Sequence, residues 1–568
     1  MARNDPKLVR AAKNSPWILI ALGLHVILAT ALSVVVIQHG RRETTGNATS
    51  IAVVPARPAE SALVVPEHLP ERTRIPEQER IELVSFAEAD AFVPTEEQPP
   101  EIDWHADLGD PTGSEGDDGS STGGTSIGVG TGGHHGTGQP AGILGSRVGT
   151  GLGRGKPGRP GRSGPPAGTE EAVLEGLRWL MRHQNEDGSW SPASVHTLCS
   201  TETPCIAADP ALDSTFDVGM TALALLAFLG HGISVGSKLE LTDPAMGRPP
   251  KPAREIVKRG LRWLLEHQKS DGSFSDSEPF ALPENDTLPT MALCEAYALA
   301  RGNTRLRQPA QRAIDFLVAA QRRRVDGSPS GWGPGSQQDL EARHASGELA
   351  DADFEVARES IDLSISCWVV MALKSAQTCG FRVPDEVFAG ALACAIRSSA
   401  EDEPVGGFPQ ADPGDAFRTH AARRSALGML IRAFAGGEVA DPFLERAARE
   451  LAAEPPRVTA DLVSVDFYYW YFATLALEQY DGPESPRARR GEHWGPWNTA
   501  LVAALLPLQD RSKKRDVCAR GGWLQEARGN RRGRALYNTA MNVLTLEVYY
   551  RFENVFGLAA RSAARRGK

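Results

Sequence analysis

Apolar residues follow three regimes along the chain. Residues 17–37, WILIALGLHVILATALSVVVI, are an apolar run of 21 positions without a formal charge. From Arg41 to Thr169 neither a helical nor a strand period is sustained. From Glu170 onward, apolar positions recur at three- and four-residue steps, the period of an amphipathic helix. These stretches alternate with segments that are apolar nearly all round, the pattern of helices buried on every side.

The amphipathic stretches are copies of one another. Gly176–Trp190 (GLRWLMRHQNEDGSW) matches Gly260–Phe274 (GLRWLLEHQKSDGSF) almost position for position. Each reads as a helix stopped by Asp-Gly, where glycine supplies the left-handed conformation of a helix end. Each is followed by an apolar helix, Thr215–Leu229 and then Thr290–Ala300. Weaker copies continue the series. Amphipathic outer helices are expected at Pro309–Gln321, Pro384–Ser398, Pro442–Ala453 and Trp497–Gln509. Turns are expected at Gly331-Trp332, Gly406-Gly407-Phe408 and Gly521-Gly522-Trp523, and inner helices at Ile361–Gln377, Thr419–Phe434, Val465–Gln479 and Leu536–Phe552. Six hairpins result, enough for the inner helices to close a ring.

The spacing G-x2-W-L-x3-Q-x3-G-x-W/F resembles the QW repeat of the squalene cyclase and protein prenyltransferase superfamily. It holds at every defined position of Gly176–Trp190 and Gly260–Phe274, and in part at Gln321…Gly331-Trp332 and Gln509…Gly522-Trp523. The resemblance implies an all-α fold, an α/α toroid over residues 170–556, with six inner helices around a lumen and six outer ones behind.

The active members' motifs are absent. The nearest string to the cyclases' Asp-x-Asp-Asp is Asp351-Ala352-Asp353-Phe354, without the third acid and inside a polar insertion. Asp516-Val517-Cys518 has the spacing of a prenyltransferase zinc pair but precedes the Gly-Gly-Trp turn instead of following it. Thioester toroids need Cys-Gly-Glu-Gln; here the only Cys-Gly is Cys379-Gly380-Phe381-Arg382. No catalytic residue, metal ligand or cofactor is assigned on these grounds.

One further pattern survives alignment of the repeats. Asp217, Asp286 and Asp362 each stand four residues before Thr221, Thr290 and Ser366, and Asp466 stands likewise before Trp470. In a ring, these acids share the rim where the inner helices start. They are either helix-start groups complementing the dipole, or a polar binding site with Tyr468 and Trp470 as stacking surfaces. His420 falls near the same station in the fourth repeat and Ala535 in the sixth, so the acid ring is incomplete.

Outside the repeats the chain reads as an anchor and a tether. The 21-residue run is long enough for a hydrocarbon core of about 30 Å and lacks a small-residue cleavage site. Arg3, Lys7, Arg10 and Lys13 precede it, which predicts a cytoplasmic N-terminus (1–16) and an extracytoplasmic remainder. His25 is the titratable group of the span and hence a functional candidate. Pro16-Trp17 and His25, followed by a Pro-rich spacer, resemble the anchor of TonB-type energy-transducing proteins, although Ala21 stands where that family has serine. This implies a membrane partner for the helix.

Residues 43–110 carry 15 acids against four bases, and residues 111–168 hold 21 of the 57 glycines. Such composition predicts a disordered linker over 38–169. The remainder is close to neutral, so a nucleic-acid partner is disfavoured. A short basic tail, 557–568, ends the chain. Seven cysteines exclude a disulfide-built scaffold. Cys199 and Cys205 share a polar insertion and are a possible local disulfide in an oxidising compartment. The sequence thus points to a membrane-anchored binding or scaffolding toroid that takes a peptide, glycan or prenyl lipid at the lumen. The alternative is a terpene cyclase/prenyltransferase-like or carbohydrate-active enzyme using the rim carboxylates.

Overall fold

The computed structural model describes residues 166–551, apart from 200–203, 210–211, 213, 245, 275–283, 301, 401–420, 461, 463, 484, 488, 513–517 and 526–533. The expected membrane run, His25, the tether up to residue 165, His420 and the basic tail lie outside the described residues. Among the described residues, no helix is long and apolar enough to cross a membrane.

Hairpin one consists of α1 (Thr169–Arg182) and α2 (Asp217–Gly230). A two-stranded antiparallel ribbon follows, β1 (Glu240–Asp243) and β2 (Arg248–Pro252), with Leu241 opposite Lys251. Hairpin two is α3 (Ala253–Glu266) and α4 (Glu284–Leu299). Hairpin three is α5 (Thr304–Ala319) and α8 (Leu363–Thr378), with α6 (Gln337–Ala345) and α7 (Asp351–Glu359) in the polar insertion between them. Then come α9 (Asp385–Ala400) with α10 (Ala421–Phe434), and α11 (Pro442–Ala453) with α12 (Phe467–Asp481). Hairpin six is α13 (Trp494–Leu505) and α14 (Arg534–Leu546), extended by the single turn α15 (Val548–Arg551).

Burial follows the sequence pattern. Helix α1 buries Ala172, Val173, Leu177 and Leu180, while Glu171 on its other face is exposed. Helix α2 buries every residue from Val218 to Gly230. Each fully buried Leu, Val or Phe contributes roughly 1.5–3 kcal/mol. The buried helices pack in cyclic order: α2 on α4, α4 on α8, α8 on α10, α10 on α12, α12 on α14, and α14 back on α2. Outer α3 packs on α2, α5 on α4, α11 on α10 and α13 on α12, and α1 packs on α14 of the last hairpin. First and last hairpins therefore meet as neighbours, and the ring closes.

The repeat motif is the hardware of these junctions. Gln184 Nε2 donates to Gly188 O in its own turn (2.9 Å) and to Ile256 O of the next outer helix (3.0 Å). Gln268 reaches Pro309 O (2.9 Å) and Gln321 reaches Val387 O (2.9 Å) in the same way. Gln509 closes the cycle by donating to Ala172 O of α1 (2.8 Å). The turn tryptophan folds back on its own helix: Trp190, Trp332 and Trp523 Nε1 donate to Leu180, Leu317 and Leu505 carbonyls at 2.8, 2.8 and 3.0 Å. At Gly521 φ is +90°, and a Cβ would collide with the Glu175 carbonyl across the junction. Glycine is required there both for conformation and for close approach.

The observed bounds refine the expected ones for local reasons. Helix α5 begins at Thr304 rather than at Pro309 because the Asn303 side chain caps it, accepting from Arg305 N at 3.0 Å. Pro309 sits inside, past the turn where its missing N–H would matter least. The ribbon β1–β2 is an addition that the all-α reading did not contain.

Candidate functional site

The rim acids sit where the inner helices begin, each engaged locally. Asp362 caps α8, accepting from Ser364 N (2.7 Å) and Ile365 N (3.0 Å). Asp466 caps α12, accepting from Tyr469 N (3.0 Å), and its other oxygen takes Arg423 Nε at 2.9 Å. Asp286 is buried and accepts the Phe274 backbone N–H at 2.9 Å. Asp217 lies half-buried in the first turn of α2. Trp470 is buried, edge-on to Phe467, and presents no stacking face. Tyr468 is half-buried and shares a hydrogen bond with Ser364. Of the expected binding set, Asp286, Asp362 and Trp470 are committed to the fold, and Asp217, Asp466 and Tyr468 keep some exposure.

The small hydroxyl of the Asp-x3-Thr/Ser pattern also has a structural reason. Thr221, Ser366 and Thr539 Oγ accept the backbone N–H of the turn tryptophans Trp190, Trp332 and Trp523, at 2.9, 2.9 and 3.1 Å. Hairpin two departs from this, with the Asp286 carboxylate serving Phe274.

The ring interior is occupied by side chains from helices that are not ring neighbours. Trp368 of α8 stacks on Tyr471 of α12 (5.8 Å between centroids) and meets Phe472 edge-on (5.0 Å). From the opposite side, Arg551 Nη2 donates to both carboxylate oxygens of Glu295 in α4 at 2.9 Å, and Nη1 donates to Leu226 O at 2.7 Å. Glu547 approaches the same guanidinium at 3.5 Å, its carboxyl lying where a Cβ on Gly230 would be. Burial pushes Glu295 up to about 7, against the pull of Arg551. Burial likewise raises Glu547 well above the carboxylate range, with Arg551 again opposing. One guanidinium between two buried carboxyls favours keeping one proton in the cluster. The crevice lined by Tyr471, Thr474, Leu475, Leu544, Thr545 and Val548 is too tight for water. A cavity of about 160 Å³ lies elsewhere, between Glu171, Glu175, Gln509, Asp510, Arg511 and Arg520. Ligand pockets are typically ~300–1,000 Å³.

A second cluster forms at the junction of hairpins six and one. His183 Nε2 stands 3.7 Å from Cys199 Sγ and 3.5 Å from Cys205 Sγ, and the two sulfurs are 3.5 Å apart. Cys518, just before the last turn, completes the group, and the four ligand atoms lie within 4.8 Å of one another. The possible pair Cys199 and Cys205 stand as free thiols 3.5 Å apart, and both also face His183 and Cys518. Its interaction with Cys205, and then those with His183 and Cys199, lower the Cys518 thiol below the usual thiol range. Cys205 is pushed up by Cys518 and by burial, and Cys199 by burial. No metal ligand was assigned from the sequence because Cys518 stands more than 300 positions from His183, Cys199 and Cys205, and only ring closure brings it to them. The available signal was a Cys-x5-Cys insertion in the first repeat and a lone cysteine in the last.

No known family profile matches the chain, and no curated protein does. Solved structures with a similar chain path include a protein from Actinoplanes, 16% identical, covering 67% of this chain and 99% of that one, with a TM-score of 0.35. The apo type II terpene cyclase MstE from Scytonema is 12% identical, over 67% of this chain and 97% of that one, with a TM-score of 0.37. A variant of that cyclase, in complex with geranylgeranyl dihydroxybenzoate, is 13% identical over the same shares, with a TM-score of 0.39. The closed ring rests on the helix contacts given above and borrows nothing from these likenesses.

Proposed function

We propose that the chain is a single-pass membrane protein whose ring, an α/α toroid of six hairpins, is a binding or scaffolding module on the extracytoplasmic side. The packed interior carries this reading. Trp368 and Tyr471 meet across the ring, and Arg551 ties Glu295 from the other side, so among the described residues these side chains occupy the space a prenyl chain would need. The enzymatic alternative needs rim acids free to exchange protons, whereas Asp286 and Asp362 are buried on backbone N–H groups. A peptide or glycan at the mouth would instead meet Asp217, Asp466 and Tyr468, the members of the rim set that retain exposure. The run 17–37, with His25, would hold the module to the bilayer, and the tether would set its reach.

The detergent-solubilised full chain is the material for the test. A photo-crosslinking residue in place of Asp217 should capture a discrete peptide or glycan partner from native membranes, while the same probe in place of exposed Ile396 should not. Geranylgeranyl diphosphate should neither bind saturably nor be turned over. Saturable prenyl binding or a cyclised product would overturn the reading, as would identical crosslinks from both positions.

A further inference from the structure

The imidazole–thiol cluster at the ring's closing junction has the composition and spacing of a metal site. In a tetrahedral zinc centre, with Zn–S about 2.3 Å and Zn–N about 2.05 Å, ligand edges are roughly 3.8 Å (S···S) and 3.6 Å (S···N). The three edges among His183, Cys199 and Cys205 are 3.5 Å between sulfurs, and 3.7 and 3.5 Å from sulfur to Nε2, and Cys518 Sγ lies within 4.8 Å of each. The imidazole is already oriented for ligation. His183 Nδ1 is bonded to the Trp179 carbonyl at 2.8 Å, and its ring stacks on Trp179 at 4.0 Å. That bond places the proton on Nδ1 and turns the Nε2 lone pair toward the sulfurs, the outer-shell arrangement that metal-binding histidines require.

A cation stands beside the site as well. Three thiolates and a neutral imidazole leave a zinc centre one negative charge in excess. The buried Arg182 guanidinium stands beside it, donating to Cys518 O at 3.4 Å and to Arg520 O, with Asp243 as its own counter-ion at 2.9 Å. Four protein ligands leave no open coordination position, which distinguishes a structural from a catalytic zinc.

We propose that His183, Cys199, Cys205 and Cys518 bind one zinc ion that clasps hairpin six to hairpin one. His183 ends α1, Cys199 and Cys205 belong to the insertion of the same hairpin, and Cys518 precedes the last turn. The ion therefore crosses the one junction of the ring that no short stretch of chain connects. Binding releases the thiol protons to solvent and involves no redox step, and it protects Cys199 and Cys205 from pairing with each other. The soft S₃N set selects zinc over magnesium or calcium.

The full chain, purified in detergent without chelator, should carry about one zinc per molecule by elemental analysis. Exchange for Co²⁺ should give the visible absorption of a tetrahedral cobalt–thiolate centre. Cys205→Ser should lower the zinc content at least tenfold, while His267→Gln, in the equivalent hairpin whose connection between helices carries no cysteine, should leave it unchanged. Chelation should lower the melting temperature by roughly 5–10 °C, and zinc should restore it. The cobalt spectrum needs no variant, so a Cys205→Ser chain that fails to fold does not blunt the test. Absence of stoichiometric zinc after loading, or a Cys199–Cys205 disulfide found by peptide mass mapping of the purified chain, would overturn the proposal.

Discussion

The junction between hairpins one and two and the one between hairpins six and one are built alike and then diverge. At both, a glutamine bridges its own turn to the next outer helix: Gln184 to Ile256 O at 3.0 Å, Gln509 to Ala172 O at 2.8 Å. At both, a turn glycine faces a carbonyl of that helix, Gly188 against Arg259 and Gly521 against Glu175. Where the first junction has Arg259 donating to Gln184, the closing junction adds ion pairing and a thiol cluster among the described residues. Arg520 pairs with Glu175 (2.9 Å), Arg182 reaches the last turn, and the His183–Cys518 cluster spans the seam. Deeper in, Arg551 reaches from the end of hairpin six to α2 and α4. Consecutive hairpins are held near one another by the chain, so their interface repays little loop-closure entropy. The seam joins residues more than 330 positions apart, and the closure cost grows with the logarithm of that separation. Reinforcement is concentrated where connectivity gives no help.

Breaking the deepest reinforcement should have the largest effect. Arg551→Met removes the sole cation described in the Glu295–Glu547 pocket and leaves buried carboxyls without it, a change of about 3–5 kcal/mol. Urea unfolding of the full chain measures it. A loss below ~1 kcal/mol would mean that the pocket simply takes up protons and that the seam does not depend on Arg551.

The glutamines test the comparison directly. Gln184→Ala removes two buried hydrogen bonds and the one its Oε1 accepts from Arg259, Gln509→Ala removes two, and each should cost about 1–3 kcal/mol. Their distribution should differ. Loss of Gln509 should expose the amides of α1 and α14 to hydrogen exchange before the rest of the ring opens, whereas loss of Gln184 should leave those helices protected. Equal protection patterns would show that the seam is no weaker than any internal junction.

Much of this architecture was legible in the sequence, and what was not has a common cause. The twelve helices and their inner or outer placement follow from periodicity, because α2 is apolar on all faces and α1 on one. The acids at helix starts were legible as a pattern, and one of their two readings, local capping, describes Asp362 and Asp466. The cluster of His183 with Cys518 was not legible, since nothing local marks residues 335 positions apart as neighbours. Cys518 of Asp516-Val517-Cys518 lies with His183, Cys199 and Cys205, while Asp516 lies outside the described residues. The Glu295–Arg551 pair escaped for the same reason, each residue being an ordinary polar position near the end of its helix until the ring is closed.

The smallest predicted effect is a control that should be blind to the seam. Thr221 and Thr539 each accept a tryptophan N–H within a single hairpin, at 2.9 and 3.1 Å. Valine keeps the shape of threonine but strands that buried N–H, so Thr221→Val and Thr539→Val should each cost about 1–2 kcal/mol. The two values should agree within ~0.5 kcal/mol, because neither bond crosses a junction. The indole bonds of Trp190 and Trp523 to Leu180 and Leu505 remain in both variants, so the turns should stay folded. Should Thr539→Val cost several kcal/mol more than Thr221→Val, the last turn itself, and not the contacts across it, would be what secures the ring. The reinforcement attributed to Arg182, Arg520 and the thiol cluster would then be a consequence of a rigid turn rather than its purpose.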